Sequence, residues 1–382
     1  SPTGAELSRA AVEIASESYL STGTCACDPE GNLLVSTDMQ LLAIAPDGSI
    51  AYTIACDYYI GNISRLADGR TVVMIYGNNG PELRPVDFSA KEFGDGIAIR
   101  SDIWSIAPGD DTYDFYYTSG MYLYGCRLED GVTDQILNWM SCDINIGSVD
   151  VSALNISPDG TIRGITSDYS SDTVDNQIFT LTRVPADTLP KKQILTVAQI
   201  EYYPDYQLSN RIVRFNRSHD DVRIEYKDYT QYNTETDATL GTTKFMTEVM
   251  AGTLPDIIPT NSLPYRQIAA KGLLEDLYAY LDADPELSRE DFFPNLLSAL
   301  EVDGHLNQIV SGFSVQTLAG AAGIVGDTPG WTYDDYYAAL AKMPEDCSPL
   351  EPYTTRDTVL SALLYADLDR YVDWRSEEHT SE

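Results

Sequence analysis

The stretch from Ile194 to Ile258 alternates between two hydrophobic periods, and that alternation leaves few ways to fold. ILTVAQI (194–200) is an apolar run of strand length, rich in β-branched residues. Leu208, Ile212 and Phe215 then fall on one face of a helix, after the loop EYYPDY. Val222, Ile224 and Tyr226 alternate with charged residues, as a half-buried strand does. Phe245, Met246, Val249 and Met250 share one side of a second helix, and Gly252 stops it. Leu254 to Ile258 enters a third strand. The order is βαβαβ, which predicts a parallel sheet with right-handed crossovers.

The segments ILTVAQ, IVRFNRSHDDVRIEYKDY, FMTEVMAGTLPDII and IAAKGLLEDLYAYLDADPEL, in that order, resemble the N-terminal lobe of extracellular solute-binding proteins. These are the receptors of ABC importers, and the carbohydrate-binding branch is the most similar. The resemblance continues through LEVDGHLNQI and GDTPGWTYDDYYAALAKM, so it covers about the second half of the chain. It implies an α/β periplasmic-binding-protein-like lobe over 191–374 with an incomplete second lobe, closing by a hinge on a sugar between two lobes. It also implies an ABC permease as membrane partner and a secreted, lipid-anchored full-length protein. Thr332 with Asp335 reads as a helix N-cap pair, and Thr354 to Leu368 as a further helix.

The first half is of another kind. After a helix-like lead (Ala5 to Tyr19), short strands and turns run to about Pro190. Pro29-Glu30-Gly31, Ala67-Asp68-Gly69, Pro108-Gly109-Asp110 and Pro158-Asp159-Gly160 each precede an apolar strand. Further strand pairs lie in the intervals, as in LLAIAPDGSIAYTIA and MYLYGCRLEDGVTDQIL. Asp-Gly between alternating strands is hairpin chemistry, because Gly accepts the positive φ of a tight turn. Four-stranded units at a spacing of roughly forty residues suit β-propeller blades. The expected organisation is therefore an all-β, propeller-like module of about four blades over 1–190, then the α/β lobe. A β-sandwich with regular hairpins is the alternative.

Charge narrows the partners. Lys and Arg number 24 against 59 Asp and Glu, a net charge of −35, which repels phosphate backbones and argues against nucleic acid. The six cysteines form no CxxC pair and the three histidines lie far apart, so no metal site is expected. Cys25 and Cys27 could pair as ligands, but structural thiols are the plainer reading. The opening SPTGAELSRA has neither a charged n-region nor an apolar h-region, and the start of a secreted receptor is expected upstream. The last eight residues, 375–382 (RSEEHTSE), resemble an in-frame translation of a sequencing adapter and are expected to lie outside the fold.

No HExxH, G-x-S-x-G, Walker A or dinucleotide fingerprint occurs, so neither catalysis nor a cofactor is expected. Ligands of open parallel sheets bind where loops gather at the carboxyl ends of the strands. Tyr202 and Tyr203, Tyr229, and Asn261 stand after the first, second and third strands. They supply the aromatic and polar types that a sugar's flat CH faces and hydroxyls need. The resemblance adds Phe313 and Gln316 near Gly312 as the cleft floor, although Asn307-Gln308-Ile309-Val310 departs from the usual entry of that strand. His305 in its Asp-Gly turn reads as a solvated histidine. The expected function is capture of a carbohydrate by a transport receptor. The alternative is a secreted glycan-active enzyme or adhesion module carried by the propeller-like half.

Overall fold

The computed structural model describes residues 6, 9–13, 20–37, 39–169, 173–234, 236–261, 263–310, 312–313, 321–326, 330, 332–344, 355–358 and 360–361. The chain divides into two compact units, Ser1–Leu274 and Glu275–Glu382.

The first unit is dominated by four antiparallel sheets in chain order. The first holds β1 (Leu20–Cys27), β2 (Leu33–Thr37), β3 (Gln40–Ile44) and β4 (Ile50–Ala55). The second holds β5 (Tyr59–Arg65), β6 (Thr71–Gly77), β7 (Gly80–Asp87) and β8 (Glu92–Phe93), with β9 (Ile97–Ala98) also paired to β7. The third holds β10 (Ile106–Pro108), β11 (Phe115–Ser119), β12 (Tyr122–Cys126) and β13 (Thr133–Asn138). The fourth holds β14 (Asn155–Ile156), β15 (Ile162–Asp168) and β16 (Asp175–Leu181). Their first strands are neighbours, β1 against β5, β5 against β10, and β10 against β14.

Side-chain alternation shows why the sheets stack. Val73 and Ile75 of β6 join Leu34, Leu41 and Ala43 of the first sheet in one core. Val72 and Met74, pointing the other way, join Ile106, Phe115 and Tyr117 of the third. Tyr116 and Leu123 leave the third sheet on its far side and meet Ile162 of the fourth. A strand covered on both faces reads as a continuous apolar run, which TVVMI is. A two-layer sandwich would leave each sheet one solvated face, so the stacked-blade, propeller-like arrangement is the fold, and the sandwich alternative is set aside. The hairpin chemistry is as expected: Gly69 and Gly160 sit at φ of 87° and 79°. Asp68 and Asp159 accept backbone bonds from Arg70 and Thr161 at 2.9 and 3.0 Å. Of the lead, residues 9–13 carry no regular helix.

The expected βαβαβ is present locally but is not a receptor lobe. β17 (Gln193–Gln199) and β18 (Val222–Asp228) pair in parallel, Gln193 opposite Val222 through Gln199 opposite Asp228. Between them lies α1 (Tyr206–Ser218), capped by Asp205, which accepts from the Leu208 amide at 2.7 Å. After α2 (Leu240–Met250) the third segment contributes one parallel bridge, Ile257 to Val197, and no strand. Asp256 supports that loop by accepting from the Thr196 amide at 2.7 Å. The sheet is thus two strands wide.

It is also bonded to the propeller-like sheets within the same unit. Val197, Ile212 and Val213 share a core with Met121 and Met140 from the third sheet's turns. Arg223, with 15% of its side chain exposed, pairs with Asp143 at 2.9 Å and donates to the Ser141 carbonyl at 2.9 Å. This overturns the solute-binding-protein assignment: a lobe of that family needs a wide sheet with its own faces covered, and this segment lacks one.

In the second unit the described elements are short. α3 (Tyr265–Ala270) closes the first unit. α4 (Leu277–Leu281), α5 (Pro294–Leu300), the hairpin β19 (Glu301–Val302) and β20 (His305–Leu306), α6 (Ala322–Val325) and α7 (Tyr333–Leu340) follow. Thr332 and Asp335 form the expected capping box on α7. The expected inter-lobe strand is absent from 307–310, and the adapter-like tail 375–382 lies outside the described residues.

Phe115 is fully buried between the second and third sheets. Phe115→Ala should lower stability in urea denaturation by about 3–5 kcal/mol. A loss below about 1 kcal/mol would contradict close packing of the second sheet on the third.

Candidate functional site

A row of aromatic rings runs from the second sheet to the segment before β10, and a tyrosine pair from the loop after β17 lies beyond it. Tyr59 and Tyr76 are cross-strand partners on β5 and β6, with ring centroids 6.0 Å apart. Tyr76 lies 5.8 Å from Trp104, and its hydroxyl donates to the Trp104 carbonyl at 3.1 Å. Successive ring planes are tilted by 35° and 33°. Beyond the row, Tyr203 meets Tyr202 edge to face at 4.9 Å in the loop after β17. Tyr59, Trp104, Tyr202 and Tyr203 are 49%, 65%, 42% and 48% exposed, well above what a core aromatic shows.

Local sequence places each ring. The pairing of β5 with β6 shifts register between Ile60 and Asn62, around Gly61. A Cβ on Gly61 would stand 2.5 Å from the Tyr76 ring, so the absence of a side chain there gives Tyr76 its place. In the segment between β9 and β10, Ile103 is buried in the core between the second and third sheets, and its neighbours Asp102 and Trp104 face outward.

The row ends at a polar knot. Arg100 donates Nε to Asp102 Oδ1 at 2.9 Å and Nη2 to Oδ2 at 2.7 Å. Ser119 Oγ and Tyr202 Oη each donate to the same Oδ2 at 2.7 Å, and these two hydroxyls are also in mutual contact. Burial raises the Asp102 carboxyl, but the bonds from Arg100, Ser119 and Tyr202 outweigh it and hold it down to about 2. Burial and the anionic partner push the Tyr202 hydroxyl well above the tyrosine range, against an opposing bond from Ser119. The knot is therefore a carboxylate, a guanidinium and neutral hydroxyls at any ordinary pH. Oδ2 is saturated by three donors, while Oδ1 accepts one bond and keeps acceptor capacity beside the exposed guanidinium.

Of the residues singled out from sequence, Tyr202 and Tyr203 form the pair beyond this row. Tyr229 does not: it is fully buried, edge to face with Phe245 at 5.3 Å, and its hydroxyl donates to Glu248 at 2.5 Å. It is a core residue because its ring closes the cluster of Ala198, Phe245 and Val249. Asn261 is exposed in the loop before α3. Phe313 belongs to the second unit, where it meets Phe293 at 5.5 Å, and Gln316 lies outside the described residues. His305 is solvent-exposed, as expected, and bonds Asp276 at 2.9 Å. Sequence reasoning missed Tyr59, Tyr76, Arg100, Asp102, Trp104 and Ser119. The one signal available was the tryptophan in the otherwise polar stretch RSDIWS, obscured by 26 tyrosines elsewhere. Among the described residues, no group of three metal-ligating side chains gathers.

The pH dependence follows from Asp102. Its folded-state value of about 2 lies below the ordinary 3.8, so its stabilising effect is complete above 3.8 and is lost as pH falls toward 2. Acid titration followed by circular dichroism should show wild type losing stability over that window. Asp102→Asn should start less stable by about 1–3 kcal/mol at neutral pH and lose less on acidification.

No family model and no curated protein sequence matches the chain. Among solved structures, hydrazine synthase of Kuenenia stuttgartiensis aligns at 15% identity over 41% of this chain and 44% of that one, with a TM-score of 0.27. A Bacteroides caccae protein of unknown function aligns at 13% identity over 47% and 66%, TM-score 0.28. The Pan2 WD40 domain of Neurospora crassa aligns at 11% identity over 39% and 45%, TM-score 0.26. The matches span 44–66% of these proteins' lengths, and likenesses this loose carry no inference.

Proposed function

We propose that this protein is a glycan-binding module, with the sugar held along the row Tyr59–Tyr76–Trp104 and anchored at the Arg100–Asp102 pair, beside the Tyr202–Tyr203 rings. The observation that carries the reading is the row itself: the exposed rings of Tyr59 and Trp104, each in contact with the half-buried Tyr76 between them, ending beside a charged donor and acceptor. A sugar ring has one flat face of C–H bonds that lies on an aromatic face, and a rim of hydroxyls that seeks directed partners. The guanidinium donates to one rim oxygen and Asp102 Oδ1 accepts from its neighbour.

The role is recognition rather than turnover. Hydrolysis of a glycoside needs a carboxylic acid that gives up a proton near neutral pH. Asp102, held down at about 2, serves as an acceptor only. A net charge of −35 disfavours phosphate polymers, so the partner belongs to the carbohydrates of a cell surface or matrix, and an extracellular setting fits.

Affinity electrophoresis through gels containing soluble polysaccharides tests this. Trp104→Ala should weaken retention by about tenfold or more, since a stacked ring contributes over 1 kcal/mol. Gly61→Ala, which must displace the Tyr76 ring, should weaken it without touching any sugar contact directly. Tyr280→Ala, an equally exposed tyrosine of the second unit, should leave it unchanged. Absence of retention by every polysaccharide tried would end the proposal.

A further inference from the structure

Resting on the glycan-binding reading above, we infer that the ligand is an uncharged, soluble glycan chain of at least three sugars, and neither an acidic polysaccharide nor a crystalline polysaccharide surface. Three features of the row lead there independently.

The first is charge. The cation at the row, Arg100, is already committed through two bonds to Asp102, at 2.9 and 2.7 Å. A uronate or sulfate arriving here would meet the Asp102 carboxylate beside that guanidinium, in a protein of net charge −35. Like charge at close range in a partly dry site costs more than a shared guanidinium returns. Hydroxyls meet no such penalty, and the pair presents them one donor and one acceptor.

The second is length. Ring-to-ring centroid distances of 6.0 and 5.8 Å place Tyr59, Tyr76 and Trp104 in a continuous run, and Tyr202, bonded to Asp102 and in ring contact with Tyr203, lies beyond them. A single sugar covers one ring, so a monosaccharide leaves most of the exposed apolar surface wet. Consecutive sugars cover it, and each gains a further stacking contact.

The third is shape. Flat crystalline surfaces demand coplanar rings. Here each plane turns from the last by 35° and then 33°. Only a chain free to twist about its own linkages can lay a face on each ring in turn. Gly61 builds this in, because Tyr76 holds its tilt only where no Cβ intrudes.

The test is isothermal titration of the full chain against neutral hexasaccharides (β-1,4- and β-1,3-glucans, xylan, mannan) and acidic ones (polygalacturonate, hyaluronan, heparin), with pull-down on microcrystalline cellulose and chitin. At least one neutral hexasaccharide should bind, its trisaccharide should retain most of the affinity, and the monosaccharide should bind at least about tenfold more weakly. Affinity should change less than about twofold between about 50 and about 500 mM NaCl, since no counterion is released. Acidic chains should bind at least about tenfold more weakly than the best neutral one. Tighter binding of an acidic chain, or retention on crystalline polymer without binding of any soluble chain, would overturn this inference while leaving a glycan-binding protein. Binding to no glycan of any class would instead sink the reading on which it rests.

Discussion

Burial of β6 on both faces is the constraint from which the rest of the first unit follows. Val72 and Met74 feed one core and Val73 and Ile75 the next, so the second sheet is stable only with a neighbour on each side. The same logic passes through Phe115, Tyr117 and Tyr116 to the fourth sheet. Stability is then shared between sheets rather than contained in any one, as in other stacked repeat architectures. Sheets stacked in this way present their loops and strand ends together at the edge of the stack. That is where Tyr59 and Trp104 stand exposed, with the half-buried Tyr76 between them.

The parallel segment adds the other end of the site. Polar links join it to the third sheet and the segments beside it, among them Arg223 to Asp143 at 2.9 Å, Tyr122 to Asp228 at 3.0 Å, and Tyr202 to Asp102 at 2.7 Å. Met121 and Met140 fill the space beneath, where unbranched side chains adapt to the irregular fit between an antiparallel edge and a helix. The loop after β17 is thereby held against the Asp102 knot. A βαβ unit that would be expected to form half of a separate clamshell instead supplies two tyrosines to a surface begun by the sheets.

The polar knot also explains why a charged pair sits in an aromatic row. An isolated carboxylate against apolar rings would be raised and partly neutral. Bonds from Arg100, Ser119 and Tyr202 reverse that and leave a fixed acceptor of known direction. The rings supply area without direction, and the knot supplies direction with little area. Together they suit a molecule that is itself half C–H face and half hydroxyl rim.

Much of the local structure was legible in the residues alone. The Asp-Gly turns, the continuous run TVVMI, the helical spacing of Leu208, Ile212 and Phe215, and the Thr332–Asp335 cap all follow from short-range chemistry that any neighbourhood would respect. Only the tertiary structure decided that the parallel segment is two strands wide and packed on the third sheet, because sheet width is set by long-range partners that periodicity does not encode. It likewise decided that Tyr229 lies in a core and Tyr203 on the surface: both follow parallel strands, and their patterns do not distinguish them. The site depends most on the assembled molecule. Tyr59, Trp104 and Tyr202 are more than forty residues apart in successive steps along the chain, and only the stacking of sheets, driven by apolar burial on both faces, brings them together.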